Sequence, residues 1–446
     1  MRIADVLPAT FDQCGNHLLA TAKDRIDPSW IAEALKAAGV ATVRRRKLPM
    51  DVVVWLIIGA NLVAGFSFDQ VIRHLGLTPS TRRSNPQAPP GSGAVADARA
   101  RLGDVAMREV FRVTSRHWSD LEDFRHLRFH GLRVLAADGF ALRTPDTPSN
   151  FEEFGKPSSR RGEAAYPVVT VVSLVEAATH MALDLEMGGA LTDERVLFDR
   201  LVDRIPGDSV TVLDRNYDSL RLLSLIGDAS RSRHWLARSK GRPKAEVIET
   251  LGPGDELIEV EADRSARRKH PTLPRVMTMR RIRYTAGTTE VTVLTSMTDA
   301  ARFPAAEVAA LYHQRWEVEM AIDDMKTEQR DSAVTLRSKT PVGIRQEIHG
   351  LLVAHNLVRV EMARTAVLLR VPPTRISFHR ALLVVCDHLR NTAEGSPPSK
   401  WAQHMVLLRS RLQYLLLPER RTGRRYPRQM KMPVGRYARK LPAQRP

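Results

Sequence analysis

The residues best suited to chemistry lie in the segment LYHQRWEVEMAIDDMK. If this segment is a helix, with about 100° per residue, Tyr312, Arg315, Glu319 and Lys326 fall within an arc of roughly 60°. A carboxylate flanked by two cations and a hydroxyl can hold a metal ion while its neighbours contact phosphate groups. The alternative is a solvated face with i, i+4 ion pairs, such as Arg315 with Glu319. Asp323, one turn beyond Glu319, is a rival for the role of metal ligand.

Two further carboxylates follow apolar runs that are typical of strands. Asp138 ends LRVLAAD directly before Gly139, and Asp214 ends SVTVLD. Strand ends in an α/β sheet open into a crevice, and carboxylates there can hold the Mg²⁺ ions that phosphodiester chemistry uses. The alternatives are an ordinary turn at the Asp–Gly pair and a helix N-cap at Asp214. Asp218 or Ser219 suits that cap better.

The composition indicates a polyanionic partner. The chain has 446 residues, of which 43% are hydrophobic, with a formal net charge of +18 and a pI near 10.4. The chain is long enough for several folded units. Its excess of positive charge favours a protein that binds nucleic acid, and the alternative is a generally basic soluble protein without such a partner. The segment from residue 418 to the end is rich in Lys, Arg and Pro, and we interpret it as a mobile polycation.

Features of secretion and membrane insertion are missing from the sequence. Cys14 and Cys386 are far apart, which disfavours a disulfide framework or a cysteine zinc site and fits a reducing cytosol. The N-terminus has no apolar core of a secretory signal. The longest apolar run, Val52–Phe66, is shorter than the roughly 20 residues that span a bilayer, so we interpret it as a buried helix. We therefore expect a cytoplasmic protein without a membrane partner.

Helices are expected towards both ends of the chain. Residues 1–75 include DPSWIAEALKAAG, which an Asp cap and Gly39 delimit. An exposed linker rich in Pro, Gly and Ser follows at residues 77–93, and helical patterns resume over residues 94–121. Residues 341–387 are also predicted to be helical.

The central part of the chain reads as alternating strands and helices. LRVLAADGFALR is predicted to form two short runs about a Gly turn, and residues 166–188 a two-stranded hairpin. Residues 241–289 are interpreted as an antiparallel segment whose last strand, EVTVLTSM, rejoins the main sheet. A long helix is predicted from about Pro304 to Gln329. A three-stranded meander followed by alternating strands and helices is typical of a ribonuclease H-like fold, although periodicity alone supports only an α/β core with helical flanks.

Together, these residues resemble the DDE transposases of bacterial insertion sequences. Tyr312, Arg315, Glu319 and Lys326 match the signature Y-x2-R-x3-E-x6-K of the insertion-sequence-four family without a gap. AADGFALRTPDTPSNFEEFG is similar to the first catalytic block of that family, and LDRNYDS to its second block. Asn216 replaces the usual glycine of the second block, and asparagine tolerates the left-handed backbone well. The resemblance covers about residues 40 to 370.

The resemblance implies a ribonuclease H-like catalytic core that a β-strand insertion interrupts, with helical N-terminal and C-terminal regions. The implied units are a helical N-terminal DNA-binding domain at 1–125, the core in two parts at 126–240 and 291–375, the β-strand insertion at 241–290, and a helical, basic C-terminal region at 376–446.

The resemblance also implies an activity. Such an enzyme binds the terminal inverted repeats of an insertion sequence and catalyses metal-dependent DNA strand cleavage, through a hairpin intermediate, and strand transfer. Two Mg²⁺ or Mn²⁺ ions would be its cofactors. The implied catalytic and metal-binding residues are Asp138, Asp214 and Glu319, and the implied DNA-binding residues are Tyr312, Arg315 and Lys326.

The implied partners are double-stranded DNA of the transposon ends and of the target, within a synaptic complex of a homodimer. The protein would act in the bacterial cytoplasm and on the nucleoid when bound. Arg44 to Lys47, Arg99 and Arg101 are candidates for recognition of the end. Trp235 could stack on an unpaired base, although a core aromatic is the simpler interpretation. A standalone metal-dependent DNA nuclease and a transposase-derived DNA-binding regulator remain open as alternatives.

Overall fold

One large sheet with helices on both faces organises the described part of the chain. The α/β class predicted from the sequence is thereby confirmed. Buried apolar side chains from alternate strand positions fill two clusters on one face and a third cluster on the other, as the two-residue period of a strand requires. The computed structural model describes residues 26–40, 48–62, 68–74, 91–159, 162–239, 241, 245–329, 335–391 and 401–419.

The large sheet has a partly parallel half and an antiparallel half. The strands of the described chain are β1 Arg133–Arg143, β2 Ser158–Ser159, β3 Gly162–Glu163, β4 Val168–Glu176, β5 Ala182–Gly188, β6 Ser209–Leu213, β7 Arg233–Arg238, β8 Ala245–Gly252, β9 Asp255–Glu261, β10 Val276–Ala286 and β11 Thr289–Thr295. Their order in the large sheet is β5-β4-β1-β6-β7-β11-β10-β9-β8. β4 and β5 form the predicted hairpin beside β1, and β6 lies parallel to both β1 and β7. β11 pairs antiparallel with β7, which confirms that the last strand of the antiparallel segment predicted at residues 241–289 rejoins the main sheet.

The strand that carries Asp138 differs from its prediction. β1 runs through Gly139 without a break, so the predicted Gly turn is wrong. The reason is tertiary: the second half of β1 pairs residue by residue with β4, and Gly139 stands opposite Val172. The backbone hydrogen bonds between β1 and β4 hold Asp138 and Gly139 in an extended conformation. Without such pairing, an Asp–Gly pair can also form a turn.

Helices occupy both ends of the described chain, as predicted. Asp27 caps α1 (Pro28–Ala37), because its side chain accepts a 2.8 Å hydrogen bond from the Ser29 amide, and Gly39 follows the end of the helix with φ +69°. α2 is buried from Val53 to Leu62, which confirms the buried-helix interpretation. The helices are α1 Pro28–Ala37, α2 Met50–Leu62, α3 Phe68–His74, α4 Ser92–Ser119, α5 Pro148–Phe154, α6 Glu194–Asp199, α7 Leu220–Ile226, α8 Arg264–Lys269, α9 Ala305–His313, α10 Trp316–Asp323, α11 Pro341–Leu369, α12 Phe378–Asn391 and α13 Trp401–Leu412.

The predicted long helix is confirmed in outline but is not a uniform α-helix. α9 and α10 are joined by tighter i→i−3 hydrogen bonds, from Arg315 N to Tyr312 O and from Val318 N to Arg315 O, both 3.2 Å. A π turn over Asp324–Glu328 follows α10. The rotation per residue is larger in a 3₁₀ turn and smaller in a π turn, so the angles from an ideal helical wheel hold only approximately.

Some sequence predictions lie outside the described residues. They concern Arg44 to Lys47, residues 77–90 of the linker, the tail beyond residue 419 and Cys14. Among the helices of the described ranges, none is long and apolar enough to cross a membrane.

Candidate active site

Asp138 and Asp214 stand at matching positions on neighbouring parallel strands. The last matched pair of β1 and β6 is Ala136 opposite Val212, and each aspartate follows two residues later. Because strand side chains alternate with a period of two, both carboxylates belong to the face of Ala136 and Val212. Asp138 therefore lies within β1 rather than at its end, but at the point where β1 parts from β6.

Glu319 approaches this face from α10. Arg315 Nη2 donates a 2.8 Å hydrogen bond to Glu319 Oε1, so the i, i+4 ion pair expected from the spacing is present. The Glu319 side chain is 35% exposed, whereas Asp323 is exposed to solvent and Lys326 is half-buried on the π turn. The ion pair thus borders solvent at the edge of the acid face.

Tyr312 and two arginines lie next to Asp214. Burial raises the pKa of the Tyr312 phenol, Arg315 and Arg238 oppose this rise, and Asp214 adds to it. Arg238 directly follows Ala237, which pairs with Leu213 of β6, so Arg238 belongs to the same row across the sheet as Asp214. Sequence reasoning missed Arg238, because its place beside the acids depends on strand register.

The carboxylates act on one another electrostatically. Burial raises the pKa of Asp138 to about 6, a 2.8 Å hydrogen bond from the Gly139 amide opposes this rise, and the charges of Glu194, Asp214 and Glu319 add to it. The three acids predicted from the sequence therefore form one group, in which like charges face one another. A fourth carboxylate, Glu194, belongs to the same group.

Glu194 was missed by sequence reasoning. It is the first residue of α6, and the Asp193 side chain caps that helix by accepting from the Arg195 amide at 2.9 Å. In the sequence, the segment TDER is typical of a helix start rather than of a site. A β carbon at Gly139 would overlap the Glu194 carboxyl group. Gly139 neighbours Asp138 on the strand and faces the opposite side, so Glu194 reaches the acids from the other face of the sheet.

The donor chemistry of the group fits a hard divalent cation. Carboxylate oxygens are the ligands that Mg²⁺ prefers, and a cation relieves the repulsion that raises the pKa of Asp138. In the ranges that the structure describes, no three His, Cys, Asp or Glu side chains already form a metal cluster. Mg²⁺ commonly takes one or two carboxylates and completes its shell with water and phosphate, so the residues present fit such an ion.

A buried polar network anchors α10 on both sides of Glu319. His180, at the turn between β4 and β5, lies 2.9 Å by its Nε2 from Glu317 Oε2 and 2.9 Å by its Nδ1 from Arg359 Nη2. Arg359 also donates to Asp324 Oδ2. Burial lowers the pKa of Arg359 to about 9, and Glu317 opposes this shift. The network ties the helix of Glu319 to the β4–β5 hairpin and to α11.

Two other predicted contacts have roles inside the protein. Arg99 donates hydrogen bonds to Gln346 Oε1 at 3.1 Å and to Ser338 Oγ at 2.9 Å, so it links α4 to the region of α11 and is not a free DNA contact. Arg101 is exposed. Trp235 is 2% exposed in the sheet core, which confirms its interpretation as a core aromatic.

Two protein families match this chain. Residues 17–112 match the family described as Insertion element 4 transposase N-terminal, and residues 129–357 match the family described as Transposase DDE domain. The three acids and the signature residues lie within the second match.

Two relatives from Escherichia coli (strain K12) are similar to the chain. Transposase InsG for insertion sequence element IS4 is 34% identical over 432 residues, which cover 97% of this chain and 96% of the relative. Putative transposase InsZ is 30% identical over 274 residues, which cover 58% of this chain and 88% of the relative. Among solved structures, the piggyBac transposase synaptic complex with hairpin DNA is similar with a TM-score of 0.40 and 11% identity, over 92% of this chain and 87% of that chain.

Proposed function

This chain belongs to the DDE transposases of the insertion element 4 family, and we propose that Asp138, Asp214 and Glu319 are the acids of its active site. The observation that carries this proposal is the matched register of Asp138 and Asp214 on adjacent parallel strands. The electrostatic effect of Glu319 on Asp138 joins the third acid to that pair. Asp323 is the weaker candidate, because its side chain is exposed.

The core of this transposase is ribonuclease H-like in our proposal. Support comes from the strand order β5-β4-β1-β6-β7, in which the first three strands form an antiparallel meander and β6 and β7 lie parallel to β1. On this proposal, residues 126–240 and 291–375 form the core around the insertion at 241–290, and residues 1–125 and 376–446 flank it.

Two Mg²⁺ or Mn²⁺ ions held by the three acids would stabilise the attacking and leaving oxygens of a phosphodiester displacement. Arg315 keeps Glu319 oriented through its 2.8 Å hydrogen bond and presents its remaining guanidinium donors to a phosphate. Lys326 adds a second positive charge on the same helical segment. Tyr312, buried against Arg315 and Asp214, orients the guanidinium.

The proposed substrates are the terminal inverted repeats of an insertion sequence and a target duplex. Water attacks a phosphorus atom at each element end, the bond to the 3′ oxygen breaks, and a 3′-hydroxyl is released. That hydroxyl attacks the phosphodiester of the opposite strand, which closes a hairpin on the element end and releases the flanking DNA with a 3′-hydroxyl. Water then hydrolyses the hairpin and regenerates the 3′-hydroxyl of the element, which attacks a target phosphodiester and displaces the target 3′-oxygen. The enzyme works as a homodimer in a synaptic complex, in the bacterial cytoplasm and on the nucleoid. The net charge of +18 supports a DNA partner.

The proposal is tested with the purified full chain, Mg²⁺ and a labelled duplex that ends in the element's inverted repeats. We expect nicks at the element end and, with target DNA present, joined product. Cleavage without joined product would instead support the standalone nuclease. Binding without cleavage, at any divalent ion concentration, would support the regulator and contradict the assignment of the acids.

A further inference from the structure

A pocket on the α6 side of the sheet borders the acid group. It has a volume of about 460 Å³, and its walls include Glu194, Asn216 and Tyr217. Asn216 directly follows Asp214 and Arg215 and donates to Asp214 through its backbone amide at 2.7 Å. The pocket therefore adjoins the acids from the face opposite to α9 and α10.

Glu194 is a carboxylate that approaches β1 beside Asp138 from the α6 face of the sheet. Its carboxyl group lies directly against the backbone of Gly139, where a β carbon would occupy the same space. Glycine at this position is thus what admits the Glu194 carboxylate to the neighbourhood of Asp138.

The phenol of Tyr217 is a second, independent sign of a ligand in this pocket. Tyr217 is 1% exposed, and no described residue hydrogen-bonds to its buried hydroxyl. Burial raises the pKa of this phenol, and the charges of Glu194, Asp138 and Asp214 raise it further, so the hydroxyl lies among the acids. Buried hydroxyls normally have a partner, so an unpartnered hydroxyl on a residue that lines the pocket indicates a missing ligand beside it.

We propose that Glu194 is a fourth acid of the active site, which binds one divalent cation together with Asp138, while the Tyr217 hydroxyl bonds to a water or phosphate oxygen held beside that cation. This inference rests on the proposed function, because it adds a ligand to the metal site proposed there. Asp138 then stands between carboxylates from both faces of the sheet. One or two carboxylates per ion suffice for Mg²⁺ or Mn²⁺, since water and phosphate complete the shell.

A merely structural role for Glu194 is the competing explanation. An acid in the first turn of a helix interacts favourably with the helix dipole, and this needs no metal ion. Glu194→Asp keeps that interaction but shortens the side chain by one methylene group. Glu194→Gln keeps the shape of the side chain and removes its charge.

The test is the affinity of the metal-free full chain for Mn²⁺, measured by titration calorimetry. We expect Glu194→Gln to weaken binding by about tenfold or more, and Glu194→Asp by a smaller factor. Asp193→Asn is the matched control, because it removes one charge at the preceding residue while asparagine still caps the helix. The Asp193 carboxylate is already paired with Arg195 at 2.6 Å, so the Asp193→Asn variant should bind Mn²⁺ within about twofold of the wild type.

The Tm of the metal-free chain distinguishes a metal-binding role of Glu194 from a structural one, because the two roles predict opposite changes on substitution. Loss of the repulsion between Glu194 and Asp138 should leave the metal-free Tm of Glu194→Gln equal or higher, and Mn²⁺ should then raise it less than in the wild type. Tyr217→Phe should likewise melt no lower without metal. Wild-type Mn²⁺ affinity in both Glu194 variants, or a lower Tm without metal, would overturn this inference. Unchanged Mn²⁺ affinity in Asp138→Asn would instead refute the metal site of the proposed function.

Discussion

Asp138 and Asp214 lie two residues beyond the same matched pair, Ala136 opposite Val212, on parallel strands. Their spacing is therefore set by the backbone register of the sheet and not by a loop. Carboxylates on such rigid elements can hold a cation without reorganisation. Glu319 joins them from a helix that is fixed on both sides, at Glu317 and at Asp324.

Divalent ions should stabilise the folded chain, since the like charges around Asp138 repel one another without a cation. At a free Mn²⁺ concentration of about 100 times Kd, linkage predicts a gain of about 2.7 kcal/mol in the free energy of unfolding. Differential scanning fluorimetry with and without Mn²⁺ measures this as a rise in Tm. Asp214→Asn should reduce the rise, and an undiminished rise in this variant would place the ion elsewhere.

Arg315 should matter more for cleavage than for DNA binding, because it both orients Glu319 and contacts phosphate. Arg315→Ala should lower the cleavage rate by about 100-fold or more and reduce the salt slope of end-DNA binding by about one. Lysine keeps the charge but not the planar fork, so Arg315→Lys should rescue binding better than cleavage. Arg125→Ala removes an exposed arginine paired with Glu122, so this variant controls for the loss of one positive charge alone. Equal losses of binding and cleavage in Arg315→Ala would contradict the orienting role.

Arg359 should be important for stability. It is 2% exposed and bonded to both His180 and Asp324, so truncation leaves the largely buried Asp324 carboxylate without its cation. Arg359→Ala should lower the free energy of unfolding by about 3–5 kcal/mol, as denaturant titration would measure. Arg268→Ala, on the exposed face of α8, should change it by less than about 0.5 kcal/mol. Similar values for the two variants would argue against the network as an anchor of α10.

Acid should destabilise the fold through two buried histidines of α11. Burial lowers the pKa of His349 and of His355 to about 3, from an ordinary value of 6.5. The unfolded chain therefore binds more protons than the folded chain below about pH 6.5, and stability falls from there towards about pH 3. His355 Nε2 lies 3.0 Å from His180 O, a contact that the amide of glutamine can reproduce. In the His355→Gln variant, the slope of the free energy of unfolding against pH should fall by up to about 1.4 kcal/mol per pH unit in this range. An unchanged slope would contradict the lowered pKa of His355.

The sequence made the acids and the signature predictable for a local reason. Asp138 and Asp214 each follow a short apolar run, and the signature residues recur at helical spacing, so one-dimensional patterns contain them. Glu194 and Arg238 could not be found in this way, since they join the site through strand register and the approach of α6. The turn expected at Gly139 failed for the same reason, because pairing with β4 decides that backbone.

The central claim is that Glu319, and not Asp323, is the third acid. Cleavage of an inverted-repeat duplex in Mg²⁺ tests it directly, with Glu319→Gln and Asp323→Asn compared at equal protein and DNA concentration. Each variant removes one carboxylate charge from the same helix, and Asp323 is exposed. We predict that Glu319→Gln loses cleavage by at least about 100-fold and that Asp323→Asn cleaves at the wild-type rate. Cleavage retained by Glu319→Gln and lost by Asp323→Asn would contradict the assignment.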